Sequence, residues 1–439
     1  MAEKTISLNI PLGLKTQQVC IPRSQFVGAY LPKQMPIIQD PEAEVRRSVR
    51  EAVETTGLRG KVKPGAKACI AITDRTRPTP NSMIVPVLLQ TLNDFGIIDR
   101  DITVIVGVGM HAPDSPEAIR QNVGEAVLDR VEVINSDPDD EEAMILIGET
   151  SLGTPIEVDH RFAKADVKIG TGNVTPCMLA GWSGGGKIVL PGVVSRRTIY
   201  ENHKRFTGIL QELGYGSLIG IMPPKNVVRA DIEEAATKSG IDLVVNTVLD
   251  SQSNLVAVYS GDPLSAHRRA VEKLRPYVEV EIPQEVDVMV TGVGELSYEV
   301  SLFQGGSRVC GSVDRHLKNG GTLIMANECR EGIYEGFEHD EFRDWMQKMP
   351  TPAKLRELTE SLEIGGEKSC VLHAFSWLIH EKKCRIITVT DHMSQEELKE
   401  VHLDYAPTIQ RAFDDAYLCH GKSASIAAMP FGALVLPTS

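Results

Sequence analysis

Short apolar runs alternate with amphipathic stretches along this chain, and the alternation predicts a mixed α/β protein. Residues 5–10 and 17–22 alternate in the manner of edge strands, and residues 41–56, PEAEVRRSVREAVETT, set Val45, Val49 and Val53 on one helical face. Ala68–Thr73 reads as a short buried strand, residues 81–95 as a helix and Ile102–Gly107 as a second buried strand. Strand, helix, strand is the pattern of a parallel sheet. A helix near 115–129 follows, then strands in VEVIN and IEVDHRF, and a strand from Ala165 to Gly170 that runs into a glycine-rich stretch. Residues 195–207 read as a helix, LIGIM, LVVNTVLD and NLVAVYSGD as strands, and residues 263–275 as a helix ending at a hinge, PYVEVEIPQEV.

A second unit then begins. VDVMVTGVG, a helical segment ending in HLKNGG, and TLIMANEC repeat the strand–helix–strand pattern; helices near 340–347, 353–362 and 370–380 and the strand CRIITVT complete it. The expected architecture is two α/β domains with mainly parallel sheets and an active-site cleft between them: 1–280 as the catalytic and cofactor-binding unit, and 281–439 as a Rossmann-like unit. The apolar tail GKSASIAAMPFGALVLP is free to pack on either.

Composition narrows the function classes. At 439 residues two domains are the default. A net charge of −13 argues against a nucleic-acid partner. No apolar run reaches the roughly 18 residues of a membrane span, and the N-terminus lacks the apolar core of a signal peptide. Eight cysteines show no CxxC spacing and eleven histidines no HxxxH or HExxH pair. A disulfide framework is therefore not expected, the cytoplasm is the expected compartment, and any metal site must be assembled from distant positions. The assembly state stays open, a homo-oligomer included.

The candidate chemistry centres on residues 171–194, TGNVTPCMLAGWSGGGKIVLPGVV. Gly181, Ser183, Gly184, Gly185 and Gly186 lead into Lys187, an arrangement suited to cradling phosphate on backbone N–H groups beside a working lysine. The bland alternative is a flexible loop with a surface lysine. Gly181, Gly186 and Lys187 satisfy GxxxxGK, but Ile188 replaces the magnesium-binding hydroxyl, and Pro191-Gly192 would break the helix that an NTPase loop requires. Asp74, Arg77 and His111 fall at the carboxyl ends of two adjacent strands, where parallel sheets bind ligands. Each alone reads as a structural ion pair or a cap; their coincidence points to a site. Helical periodicity sets Ile199, His203 and Phe206 on one face, so His203 is either buried packing or aimed at the group that the loop binds.

Five strings occur in the order and spacing of one family: TDRTRPTP, GVGMHAP, AGWSGGGKIVLPGV, the helix carrying ENHKRF, and SYEVSLFQGG. Over most of its length the chain resembles the lactate racemases, which use a nickel-pincer nucleotide. The resemblance implies a pyridinium cofactor bound to Lys187 through a thioamide, with His203 as the protein's nickel ligand. It implies that Arg77 grips the substrate carboxylate, that Asp74 orients the first catalytic histidine or the cofactor ribose, and that His111 is one of two acid/base groups. The α-hydrogen of a 2-hydroxy acid would leave as hydride while a base takes the hydroxyl proton, and the planar 2-oxo acid would be reduced on its other face. Histidine suits the base and arginine the carboxylate.

Three departures qualify the resemblance. The family's second catalytic histidine falls at Cys177. Two readings stand: a thiol base tuned by a neighbouring cation, or a space-filler. If Cys177 acts, the two faces of the substrate are treated unequally, as an epimerase would require. Gln304 matches a family glutamine beside the substrate, but the family's lysine three residues on is Ser307, with Arg308 adjacent. Gly186 stands where many relatives carry a basic residue. The expected substrate is therefore a small-molecule 2-hydroxy acid, with lactate not the first choice and a larger or more polar acid, such as a sugar acid, equally expected. Two other classes remain: a metal-dependent isomerase without the pincer cofactor, and a non-enzymatic nucleotide- or cofactor-binding relative.

Overall fold

The computed structural model describes residues 4–213, 218–336 and 338–438. Two six-stranded sheets organise it. In the first the strand order is Leu255–Gly261, Leu243–Leu249, Val167–Asn173, Ala68–Thr73, Ile102–Gly107 and Glu132–Asn135, parallel except for the outermost strand Leu255–Gly261. In the second it is Asp404–Ala406, Arg385–Val389, Leu317–Ala326, Val286–Gly292, Ile426–Met429 and Phe26–Ala29, parallel throughout. The α/β class with mainly parallel sheets expected from sequence is what is observed.

Apolar residues on both faces of each strand explain the layering. In the first sheet Ile70, Ile72 and Val104 pack beneath Val45, Val49 and Leu88 of the helices Pro41–Thr55 and Asn81–Asp94. The alternate residues Cys69, Ala71 and Ile105 face the other way, against Ile188, Ile199 and Val228. The strand period of two thus fixes one face to the outer helices and the other to the layer carrying Lys187 and His203. The order of this sheet reverses between Ala68–Thr73 and Val167–Asn173, which opens a crevice at their carboxyl ends.

Several local expectations need correction. The helix near 115–129 is two, Pro116–Val123 and Glu125–Leu128, broken at Gly124 with φ +83°. The strand in IEVDHRF stops at Asp159, whose carboxylate accepts the Arg161 N–H and starts the helix His160–Lys164. LIGIM forms no strand: the chain turns there, and the Gly220 N–H bonds the Gly181 carbonyl. The hinge segment is helical to Val278 and continues as the strand Glu279–Glu281, which pairs with Leu436–Thr438 of the tail.

Residues 5–29, grouped by sequence with the first unit, lie on the second. The hairpin Thr5–Leu12/Lys15–Pro22 buries Ile10, Leu12, Val19 and Ile21 against Val288, Val290 and Ile324, and Phe26–Ala29 pairs with Ile426–Met429. Its alternating pattern specifies a half-buried strand but not which sheet covers it. No helix among the described residues is long and apolar enough to cross a membrane.

Candidate active site

A cavity lies at the crevice of the first sheet and is closed by the second domain. Thr73, Asp74, Arg77, His111, Asn173, Cys177, Ser183, Gly184, Lys187 and His203 line it from one side; Phe303, Gln304, Ser307, Arg308, Glu367, Cys370 and Val371 line it from the other. Direct bonds span the domains. Arg75 pairs with Glu331 at 2.7 Å, the Tyr334 hydroxyl donates to the Met110 carbonyl at 3.0 Å, and Arg196 pairs with Glu338 at 2.6 Å.

The first cluster grows from the end of Ala68–Thr73. Asp74 is buried, and its Oδ2 meets His111 Nδ1 at 2.9 Å; its Oδ1 accepts the Thr76 N–H at 2.7 Å and the Thr76 hydroxyl. Burial alone would raise the Asp74 carboxyl, but the His111 charge and hydrogen bond, with Arg77 and Thr76, hold it well below the usual carboxylate range. An ionised Asp74 places the histidine proton on Nδ1 and leaves Nε2 as an acceptor. Gln304, from the helix Leu302–Val313, agrees with that tautomer: its amide nitrogen lies 3.1 Å from His111 Nε2 and donates to Glu335 Oε1 at 2.6 Å. The Gln304 carbonyl oxygen accepts from Arg77 Nη1 at 3.3 Å, and Thr76 holds the same nitrogen through its carbonyl at 2.9 Å and hydroxyl at 2.7 Å. Arg77 Nη2 stands 3.5 Å from His111 Nε2, so a forked cation and a base address one point.

The second cluster is built on the glycine-rich stretch. Pro176–Cys177 and Gly181–Trp182 pair as a short antiparallel hairpin, and Lys187 Nζ reaches Cys177 Sγ at 3.9 Å. Burial would raise the Cys177 thiol, but the charges of Lys187 and Arg308 bring it down to about 7. Burial lowers the Lys187 ammonium; the thiolate opposes this, and Arg77, Arg229 and Arg308 add to it. Arg308 is buried, lies 3.5 Å above the centre of the Tyr298 ring, and has an Nε with no hydrogen-bond partner. His203 closes the helix Arg196–His203, capped at its start by Ser195. It is buried beside Ile199 and Phe206, and burial, with the Lys187 charge, pushes its imidazole down to about 3. Its Nδ1 is buried without a hydrogen-bond partner.

The glycines divide between two jobs. Gly184 lines the cavity, whereas Gly185 and Gly186 do not. Gly185 has φ +60°, and its N–H is bonded to Asn246 Oδ1 at 2.9 Å. A Cβ on Gly186 would stand 2.8 Å from that of Ala236, so this chain has no room for a basic side chain there. The Ser183 hydroxyl is turned inward to the Asn173 carbonyl at 2.6 Å. Arg229, buried and paired with Glu233 at 2.8 Å, pins the Gly184 carbonyl at 3.0 Å. The loop is thus a rigid support that presents Lys187, with Gly184 as its cavity-facing backbone.

Asp74, Arg77, His111, Cys177, Lys187, His203, Gln304 and Arg308 therefore share one cavity. Thr76, Glu335, Glu367 and Cys370 also belong to it or support it, and sequence reading passed over them. Thr76 was visible inside TDRTRPTP; the other three lie on segments with no local signature. No group of three or more His, Cys, Asp and Glu residues that could hold a metal occurs among the described residues.

Comparisons with known proteins bear on the family and the fold. The family model for the lactate racemase N-terminal domain matches residues 12–212, and that for the lactate racemase C-terminal domain matches residues 283–436. The chain is 24% identical to the lactate racemase of Lactiplantibacillus plantarum, over 89% of this chain and 90% of that one. It is also 24% identical to the lactate racemase of Thermoanaerobacterium thermosaccharolyticum, over 98% of this chain and 99% of that one. The lactate racemase apoprotein structure from the latter organism superposes with a TM-score of 0.84 at 23% identity, covering 99% and 100% of the two chains. A Thermotoga maritima protein structure gives a TM-score of 0.71 at 17% identity, covering 90% and 98%. With both domain models matched in order across the cavity-bearing fold, the chain belongs to the lactate racemase family and is an enzyme of the racemase type.

Proposed function

We propose that this enzyme racemises or epimerises a 2-hydroxy acid with a nickel-pincer nucleotide held covalently on Lys187 and ligated through nickel by His203. The observation that carries the reading is the convergence on one cavity of a buried lysine, a buried histidine with an unpartnered Nδ1, and an Asp74–His111–Arg77 cluster. The fit to the group is specific. Burial favours the neutral amine of Lys187 that bond formation needs, and it keeps His203 neutral, the form that binds a metal. When bound, the pincer pyridinium supplies a hydride acceptor and donor.

The chain's own residues supply the rest. Arg77 binds the substrate carboxylate, its guanidinium fixed by Thr76 and Gln304. His111, held by Asp74, takes the hydroxyl proton on Nε2 and returns it. Cys177 is the acid/base group on the other face, with the Arg308 charge left to favour its thiolate once Lys187 is bonded, and Arg308 is the second cation available to an anionic substrate. Closure by the second domain excludes water.

Two measurements test the reading. Intact mass of protein made with the cofactor-synthesis machinery should show an adduct lost in Lys187→Ala, together with about one nickel per chain, lost in His203→Ala. A panel of chiral 2-hydroxy acids carrying deuterium at the α-carbon should show inversion with the label retained in the product. Inversion with complete wash-out to solvent would replace hydride transfer by proton abstraction.

A further inference from the structure

We infer that Glu367 is a binding residue whose carboxylate receives a pair of neighbouring hydroxyl groups from the molecule that fills the cavity. Glu367 lies in the first turn of the helix Gly366–Ser376 and lines the cavity wall with His203, Cys370 and Val371. Both of its carboxyl oxygens are buried, and neither accepts a hydrogen bond from another residue; its own backbone N–H is the one donor turned toward it. The cations nearby are engaged elsewhere: Lys368 pairs with Glu338 and with Glu341, the latter at 2.9 Å, and Arg196 pairs with Asp139 and Glu338. Burial raises the Glu367 carboxyl, and the Lys368 charge offsets that only in part.

A desolvated carboxyl with no donor beyond its own backbone N–H is costly. Protonation does not remove the cost, because the neutral acid still has a hydroxyl and a carbonyl to satisfy. A donor arriving with the ligand does. Two oxygens of one carboxylate accept two side-by-side donors, which is the pattern a 1,2-diol presents. Glu367 makes no ion pair or hydrogen bond with Arg77, Arg308 or Lys187, so the acceptor stands apart from the anion-binding cations on the cavity wall. A molecule with an acid group at one end and vicinal hydroxyls further along satisfies both. Two sources offer that chemistry: the carbon chain of a polyhydroxy acid, and the ribose of a nucleotide. For the first source the inference rests on the hydroxy-acid reading above.

The test is titration calorimetry on the purified, cofactor-free chain. D-gluconate is compared with 2-hydroxyhexanoate, and nicotinamide mononucleotide with its 2′-deoxy form, in the wild type, Glu367→Gln and Glu367→Leu. The wild type should prefer the diol member of at least one pair by about tenfold or more, the scale of one hydrogen bond to a charged group, and both variants should lose that preference. Loss in the acid pair assigns a polyhydroxy-acid substrate, loss in the nucleotide pair assigns a ribose, and loss in both assigns an acceptor that serves either. Melting of the unliganded protein separates this role from a structural one: Glu367→Leu should melt at or slightly above the wild type, by about 1–3 °C, since an unpartnered carboxyl has been removed. No diol preference in the wild type, or wild-type preferences kept by Glu367→Gln, overturns the proposal. Failure of the cofactor-loaded wild type to invert any 2-hydroxy acid would instead count against the proposed function and leave the probe binding to be judged by itself.

Discussion

The two sides of the cavity solve one problem by different physics. On the His111 side, the base is fixed by directional hydrogen bonds: Asp74 at 2.9 Å on Nδ1, and the Gln304 amide at 3.1 Å on Nε2. Orientation and tautomer are set there, and the acidic member stays ionised because cations and donors outweigh its burial. On the Cys177 side no carboxylate partner occurs among the described residues. The thiol is held at 3.9 Å from Lys187 and tuned by the charges of Lys187 and Arg308. Geometry governs the first group and field governs the second. A pair so unlike suits a substrate whose two stereoisomers are not mirror images in the site, which is the epimerase reading.

The comparison can be broken most forcefully at His111. His111→Asn should lower kcat by about 10²–10⁴-fold, the range of a lost general base, with KM changed far less; steady-state kinetics in both directions would show it. A loss confined to KM would demote His111 to substrate binding. Cys177→Ala should cost about 10²-fold, and unequally for the two stereoisomers, whereas Cys177→His should recover activity and even out the two directions. Unchanged activity in Cys177→Ala would leave the thiol as a space-filler.

A finer test separates field from geometry. The Cys177 thiol lies below the ordinary thiol range at about 7, so thiolate absorbance, taken as the difference from Cys177→Ala, should rise as pH increases through about 7. Lys187→Ala should move that rise to higher pH, because the cation favouring the thiolate is gone. The same shift has a stability sign. A depressed folded-state value adds stability above the pKa of a free thiol, about 8.5, and this is lost as pH falls through about 7. Melting temperature against pH should therefore be flatter over that window in Cys177→Ala. The smallest expected effect is at Glu335→Gln. It keeps an acceptor for Gln304 but removes the charge, so KM should rise by a few-fold, about 1 kcal/mol or less, with kcat nearly kept.

The legible part of the site was the part made by one sheet. Asp74, Arg77 and His111 follow two adjacent buried strands, and the rule that parallel sheets bind at their carboxyl ends places all three. His203 was legible as a helical-face residue next to Ile199 and Phe206, though not whether it was packing or ligand; its unpartnered Nδ1 is a fact of tertiary structure. The contacts made across the cleft were not legible. Gln304 is 193 residues from His111, and no local period encodes such a pairing. Glu367 and Glu335 sit on segments whose pattern speaks only of helix and turn. The glycine loop was located correctly, but its geometry was only half foreseen. The loop presents the lysine, while the Gly185 N–H is spent on Asn246 and Gly186 is pressed on Ala236.

The placement of Phe26–Ala29 beside Ile426–Met429 has a consequence for how the molecule is made and how it moves. The chain crosses between its halves after residue 29 and near residue 281, and Leu436 of the tail packs back on Val174 and Trp182, so the halves are joined at several places, which resists free swivelling. The strand Phe26–Ala29 must also wait for Ile426–Met429 before its sheet is complete. A polypeptide shortened at its end would strand the beginning as well, and a cut at the apparent boundary would not release two independent pieces.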